Sequence, residues 1–382
     1  MERLPRPARS RSLTMAMNEP RTIDEIPTPA AVIDIDRVRA NLDRMADYAR
    51  THGLELRPHV KTHKTREIAA EQVDRGAIGV TCATLREAET MSAVTHNLFV
   101  AYPPVGAARL ERVCALAADS DIRVALDSDH ALDALSAAAR TSGRSIGILV
   151  EIDVGMHRVG LAAPDDVVAL ARRAEALPGT RFDGVAFYPG HIRQRVEDQA
   201  ADIAQLSRDL GEHLNALRSA GLESTVVSGG STPAAFSSHC VAGQTEMRPG
   251  TYVFNDRTTA AIDACRWEDC AYSVLATVVS TAVPDQAVVD AGSKALNRED
   301  LRGTDARGFG ALLDRPEINV KAMSEEHGLL DFAGHDRRPR VGDRLRIVPN
   351  HVCISVNLHP LLWVVQGENV VDRFPVAARG WT

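Results

Sequence analysis

The chain has 382 residues, with 44 Lys plus Arg against 51 Asp plus Glu and a formal charge of −7. Hydrophobic residues make up 45% and charged residues 25%, a balance that excludes global disorder. The acidic excess gives no basic face for nucleic acid, and no apolar run reaches the ~18 to 20 residues of a membrane span, so neither is an expected partner.

Residues 1–24 place Arg3, Arg6, Arg9 and Arg11 among Pro5 and Pro7 without an apolar segment. That pattern argues against a secretory signal and reads as a disordered leader, with Met15 or Met17 as alternative starts. From Pro27 the pattern becomes regular. Ala31 to Ile35 is a β-branched run, and Asp36 is placed to cap a helix carrying Val38, Leu42, Met45 and Tyr48 at helical spacing. Leu54 to Val60 reads as a strand, Thr65 to Arg75 as a helix ending at Gly76, Gly79 to Ala83 as a strand, and Leu85 to Val94 as a helix. Strands over Leu98–Tyr102, Arg123–Leu126, Ile146–Asp153, Gly184–Tyr188 and Thr225–Ser228 continue the series, separated by Ala- and Leu-rich helical segments.

Strands alternating with helices imply a parallel sheet. About eight strands between Ala31 and Ser228 suit a closed (β/α)8 TIM-like barrel over residues 25–262. An open doubly wound sheet is the alternative, weakened because no G-x-G-x-x-G opens a helix after the first strand. After residue 262 long helices become scarce. Ser273–Val283, Ala287–Val289, Arg344–Val348, Leu361–Val365 and Asn369–Val371 predict a C-terminal, mainly antiparallel β domain over residues 263–382. Six cysteines without a C-x-x-C pair form no disulfide framework, which fits a reduced, cytoplasmic setting.

Six clusters could carry chemistry. Arg57-Pro-His-Val-Lys-Thr-His-Lys64 falls at a strand end, where barrel active sites collect. Lys61 there, among Arg57, His59, His63 and Lys64, would have its ammonium disfavoured by neighbouring positive charge, as Schiff-base chemistry needs. A solvated basic loop is the bland reading. Glu151 to Gly160 alternates acidic and basic groups with glycines, although Asp153 and Arg158 could be a structural ion pair. Phe187-Tyr-Pro-Gly-His191 places an imidazole just past a strand, where a satisfied polar histidine is the commoner outcome. Ser228-Gly-Gly-Ser-Thr-Pro233 offers glycines and hydroxyls for a phosphate, but such loops are common. Glu246 to Asp256 holds charges at a strand-end turn. Finally, His351 and Cys353, near Asn357 and His359, project to one side if the segment is extended. They make an N/S pair suited to Zn²⁺, completed by water, substrate or a distant residue. Two stray buried side chains are the plainer explanation.

Taken in order, these segments resemble the D-threonine aldolase and D-serine dehydratase family, pyridoxal-phosphate enzymes of the alanine-racemase-like fold. The resemblance covers Pro27 to Gly380. Besides the clusters above it includes Ser324-Glu-Glu-His-Gly328 and Pro349-Asn-His-Val-Cys353 ahead of Val356-Asn-Leu358. It implies that Lys61 bonds the cofactor aldehyde and that Arg158 faces the pyridine nitrogen. Gly229, Gly230, Ser231 and Thr232 would cradle the phosphate, Tyr188 and Tyr252 would flank the cofactor, and His351 and Cys353 would hold a divalent metal. It also implies a homodimer and a D-3-hydroxy-α-amino acid as substrate.

Within the family, His191 looks like the base histidine of the aldolase branch, which cleaves its substrate to glycine and an aldehyde. Cys353 looks like the dehydratase branch, where D-serine or D-3-hydroxyaspartate would lose water and ammonia to give a 2-oxo acid. A cysteine ligand favours Zn²⁺, whereas an oxygen ligand would suit Mn²⁺ or Mg²⁺. Retro-aldol cleavage is the leading expectation and dehydration the alternative. An amino-acid racemase or a non-catalytic pyridoxal-phosphate-binding protein is disfavoured by the metal pair and by the added β domain.

Overall fold

The computed structural model describes residues 19–303 and 307–380. Residues 1–18 of the expected leader lie outside the described residues. The end of that segment is tied down: Ile23 is buried, its N–H donates to Glu368 O at 2.9 Å, and Val370 N–H donates to Arg21 O at 2.9 Å.

The chain enters through β1 (Ala30–Asp34) and α1 (Ile35–Thr51). Asp34, rather than Asp36, caps the helix, its Oδ1 accepting from the N–H groups of Asp36 and Arg37 at 3.1 Å each. Val38, Leu42 and Met45 are buried as their spacing anticipates. Eight parallel strands follow: β2 (Glu55–Leu56), β3 (Val80–Cys82), β4 (Asn97–Val100), β5 (Asp121–Leu126), β6 (Ile146–Ile152), β7 (Thr180–Phe187), β8 (Val226–Gly229) and β9 (Glu246–Met247). They pair in the order β2-β9-β8-β7-β6-β5-β4-β3. Beyond β2, Val60 N–H donates to Thr81 O at 3.0 Å and Thr81 N–H to Pro58 O at 2.9 Å, which closes the ring and sets aside the open sheet. Between them run α2 (Arg66–Asp74), α3 (Leu85–Met91), α4 (Ala107–Leu116), α5 (Asp129–Ser142), α6 (Pro164–Ala176) and α7 (Ala200–Ser219), with only a 3₁₀ turn at Ala235–Cys240 between β8 and β9.

The second part comprises α8 (Arg257–Ala261), β10 (Tyr272–Ser280), β11 (Gln286–Val289), α9 (Ser293–Leu296), β12 (Gly310–Leu312), β13 (Val320–Met323), β14 (Gly328–Asp331), β15 (Arg344–Pro349), α10 (Val352–Leu358), β16 (Leu361–Gln366) and β17 (Asn369–Pro375). Its sheet runs β13-β14-β11-β10-β1-β16-β17, with β15 joining β10 to β12. The first strand therefore belongs here, antiparallel to β10 and parallel to β16, and not to the barrel as its position in the series suggests. The eighth barrel strand is instead β9, two residues inside the charged turn predicted at Glu246. A run such as Ala-Ala-Val-Ile announces burial but not which sheet supplies it.

A shared apolar core joins the two parts: Leu42 and Met45 of α1, Tyr252 to Phe254 beyond the barrel, and Tyr272 and Val274 of β10 belong to one cluster. Among the described residues no helix is long and apolar enough to cross a membrane.

Candidate active site

The strand ends of the barrel and the segment after β15 enclose a cavity of about 510 Å³. Lys61 lines it, its Nζ 5.7 Å from the centre of the Tyr188 ring. Among the described residues no hydrogen bond or ion pair engages that amine. The positive charge expected around it is largely spent elsewhere. Arg57 is buried against Glu246, its Nε 3.0 Å from both carboxylate oxygens, and Lys64 lies 2.7 Å from Glu87. Burial drives the His63 imidazole down to about 3, and burial, followed by Lys61 and Arg248, holds His59 well below the imidazole range. The segment is thus an internally neutralised platform and not a solvated loop, and it presents two side chains to the cavity: Lys61, whose amine has no partner among the described residues, and His59, whose Nδ1 is likewise unpartnered there.

Gly230, Ser231 and Thr232 line the cavity beyond β8. Gly230 has φ +107°, which a side chain would strain. Ser231 Oγ is buried without a hydrogen-bond partner among the described residues. Thr232 Oγ1 accepts from the N–H groups of Gly250 and Tyr252 at 3.2 Å each, which leaves its own O–H to donate. An orphaned hydroxyl, a free hydroxyl proton and an open backbone suit a phosphate. Gly229 contributes differently: a Cβ there would stand 2.1 Å from the Phe187 ring, so its glycine serves packing.

Tyr188 lies under Arg158, whose guanidinium carbon is 4.9 Å from the ring centre. Arg158 does not pair with Asp153, which takes His157 Nδ1 at 2.8 Å. A second arginine, Arg248, lies deeper; it lines the cavity, is fully buried, and donates to Ser228 O, Ser228 Oγ and Phe187 O at 3.0, 2.8 and 2.9 Å. Glu151 faces the same space, and burial raises its carboxyl against the pull of Arg248 and Arg158. Both Arg248 and Glu151 lie inside the charged motifs, yet charge alone does not mark a residue as facing a cavity.

His351 and Cys353 also line the cavity, but the segment is not extended. His351 is the cap residue of α10 and Cys353 lies in its first turn. Burial opposes charge on both, yet each favours the other's ionised form. His351 is held well above the imidazole range by Cys353 and Asp256, and Cys353 below the thiol range by His351, Lys61 and Thr62. Thr62 Oγ1 is 3.2 Å from Cys353 Sγ. His351 Nδ1 lies 3.1 Å from Asp256 Oδ2. Among the described residues no three His, Cys, Asp or Glu side chains gather as a ready metal site, so the pair would need water or substrate to complete a coordination shell.

The remaining candidates stand off the cavity. The His191 ring lies against Gly155, with Nδ1 buried and unpartnered among the described residues. Tyr252 is buried and its hydroxyl accepts from Gln72 Nε2 at 3.0 Å; burial raises its pKa. His359 is bonded to Ala295 O at 3.0 Å and Asn357 Oδ1 accepts from Gly380 N–H at 3.3 Å, so both are structural. Ser324 to Gly328 forms the turn between β13 and β14.

Residues 33–258 match the family described as alanine racemase, N-terminal domain, and residues 271–365 match a putative serine dehydratase domain. The D-threo-3-hydroxyaspartate dehydratase of Delftia sp. (strain HT23) is 34% identical over 380 residues, covering 94% of this chain and 99% of that one. The crystal structure of D-threonine aldolase from Filomicrobium marinum matches with a TM-score of 0.87 at 33% identity, covering 94% of this chain and 98% of that one. A cysteine-to-alanine mutant of D-threo-3-hydroxyaspartate dehydratase in the metal-free form matches with a TM-score of 0.85 at 33% identity, covering 94% and 100%. With a barrel, an appended β sheet and a lysine-bearing cavity between them, this chain belongs to the alanine-racemase-like family that includes the D-threonine aldolases and the D-serine and D-3-hydroxyaspartate dehydratases.

Proposed function

We propose that the chain is a pyridoxal-phosphate- and divalent-metal-dependent lyase of D-3-hydroxy-α-amino acids. One observation carries this reading: a single cavity holds an unengaged lysine amine, an orphaned serine hydroxyl and a His–Cys pair. When bound, the cofactor ring stabilises negative charge at the substrate α-carbon, and a divalent ion acts as Lewis acid for the β-oxygen.

The chain's own groups then divide the work. Ser231 Oγ, Thr232 Oγ1 and the backbone at Gly230 bind phosphate. Lys61 Nζ would anchor the cofactor and, as a free amine, would hold or move a proton in the cavity. Tyr188 packs beside Lys61, and Arg158, a cation that keeps its charge, would leave the ring nitrogen unprotonated. His351 and Cys353 hold the ion, and an N/S pair favours Zn²⁺ over Mn²⁺ or Mg²⁺. Tyr102 and Val159, exposed at the cavity mouth, are surfaces that a second copy of the chain would cover in a homodimer.

Retro-aldol cleavage to glycine and an aldehyde is the first reading. The His191 imidazole would take the β-hydroxyl proton; catalytic hydrogen bonds are often long before substrate binds. Dehydration to a 2-oxo acid is the second, favoured by a specific observation: His191 stands behind Gly155, whereas Lys61, the only base that elimination requires, lines the cavity. Incubation with D-threonine, D-serine and D-threo-3-hydroxyaspartate, with identification of products, tests both. Glycine plus aldehyde supports cleavage, 2-oxo acid plus ammonia supports elimination, and neither product from any of them overturns the proposal. His191→Ala should lower an aldol rate by roughly 10²- to 10⁴-fold and leave an elimination rate nearly unchanged.

A further inference from the structure

Asp256 is fully buried, and among the described residues no Lys or Arg pairs with it. Its Oδ1 accepts from Thr259 N–H and Thr259 Oγ1–H at 2.9 Å each, capping α8. Its Oδ2 accepts from Val352 N–H and faces His351 Nδ1, both at 3.1 Å. Capping alone does not require this residue type. Ser, Thr or Asn would cap a helix without burying a charge, and a buried carboxylate is costly unless something offsets it. The His351 ring is the one titratable partner placed to do so.

We infer that Asp256 is a positioning residue for the metal: its Oδ2 accepts a hydrogen bond from His351 Nδ1–H, which fixes the ring's orientation and tautomer and leaves Nε2 as the donor atom. A second oxygen spent on α8 keeps the carboxylate itself from rotating. A histidine held in this way is a stronger and better aimed ligand. The inference rests on reading His351 as a metal ligand, and its test separates the two.

Cofactor-loaded enzyme is stripped with chelator and titrated with Co²⁺, read by the thiolate–cobalt absorption at Cys353, and with Zn²⁺ by competition. Asp256→Asn should bind both ions roughly 10- to 100-fold more weakly. Its cofactor absorption and borohydride trapping at Lys61 should match the wild type. Thr259→Val removes one of the two donors to Oδ1 and keeps the Thr259 N–H and the contact to His351. It should lower the melting temperature and weaken Co²⁺ binding far less than Asp256→Asn does. Undiminished Co²⁺ affinity in Asp256→Asn, or an equal loss in Thr259→Val, overturns the inference alone. Wild type that takes up no Co²⁺, or His351→Ala that binds it normally, overturns the ligand reading first. A structure of the cobalt-loaded wild type decides without any variant: cobalt on Nε2 with Asp256 on Nδ1 supports the inference, and cobalt on Nδ1 ends it.

Discussion

The two walls of the cavity are built on different principles. The barrel wall draws Lys61, Tyr188 and Ser231 from just beyond β2, β7 and β8, so each side chain is placed by the hydrogen-bonded ladder that also closes the fold. The β-domain wall draws His351 and Cys353 from a helix cap, held by a distant carboxylate and a neighbouring hydroxyl. The barrel wall positions by backbone and the other by side-chain contacts. The first should therefore tolerate loss of a site residue as a structure, while the second should depend on each contact.

The largest effects should separate the walls cleanly. Lys61→Ala should abolish turnover and remove the borohydride-trapped label, while metal content per chain stays at the wild-type value. His351→Ala should do the reverse, losing the metal and keeping the cofactor absorption. Loss of both groups in either variant would show that the walls are not independent.

The next effect tests the ladder itself. Arg57, just past β2, faces Glu246 of the paired strand β9, with side chains 2% and 3% exposed. Arg57→Ala should destabilise by about 3 to 5 kcal/mol in urea unfolding, because it leaves a buried carboxylate without its partner. A smaller loss would mean that Ser228 and its surroundings already neutralise Glu246.

The barrel wall was the more legible in the sequence, and the reason is physical. Strand and helix periods report burial within one element, so spacing puts the segments of Lys61, Tyr188 and Ser231 at strand ends, while the roles of Tyr188 and Ser231 come from the family resemblance. The same periods do not say which sheet receives a strand. The run Ala31–Ile35 therefore reads as a barrel strand although Ala30–Asp34 pairs in the other sheet, and the two-residue strand Glu246–Met247 carries too little pattern to be seen. Spacing also misread His351 and Cys353 as extended, because a short helix begins between them. Asp256 lies 95 residues from His351, and no local pattern links them.

Gly229→Ala gives a smaller test of the barrel wall. Its Cβ would meet the Phe187 ring at 2.1 Å, an overpacking that should cost about 1 to 3 kcal/mol and weaken cofactor binding only as far as the following loop shifts. The smallest effect is one of pH. Burial drives His63 down to about 3 from an ordinary 6.5, so between those values the unfolded chain binds a proton that the folded chain refuses. Its stabilising contribution is complete above about pH 6.5 and falls as pH drops toward 3, by about 1 kcal/mol at pH 5.5. His63→Gln should flatten that part of the wild-type profile in urea melts run from pH 7 to pH 4.5.

Thr62 links the two walls. It follows Lys61 directly in the chain, and its hydroxyl braces the Cys353 sulfur. On the proposed reading, one peptide link thus connects the anchor of the cofactor to a ligand of the ion, and the span between them would work as a fixed gauge. Such a gauge would suit a 3-hydroxy compound. A 4-hydroxy isomer would carry its oxygen one carbon past the ion and leave the nearer bonds unpolarised.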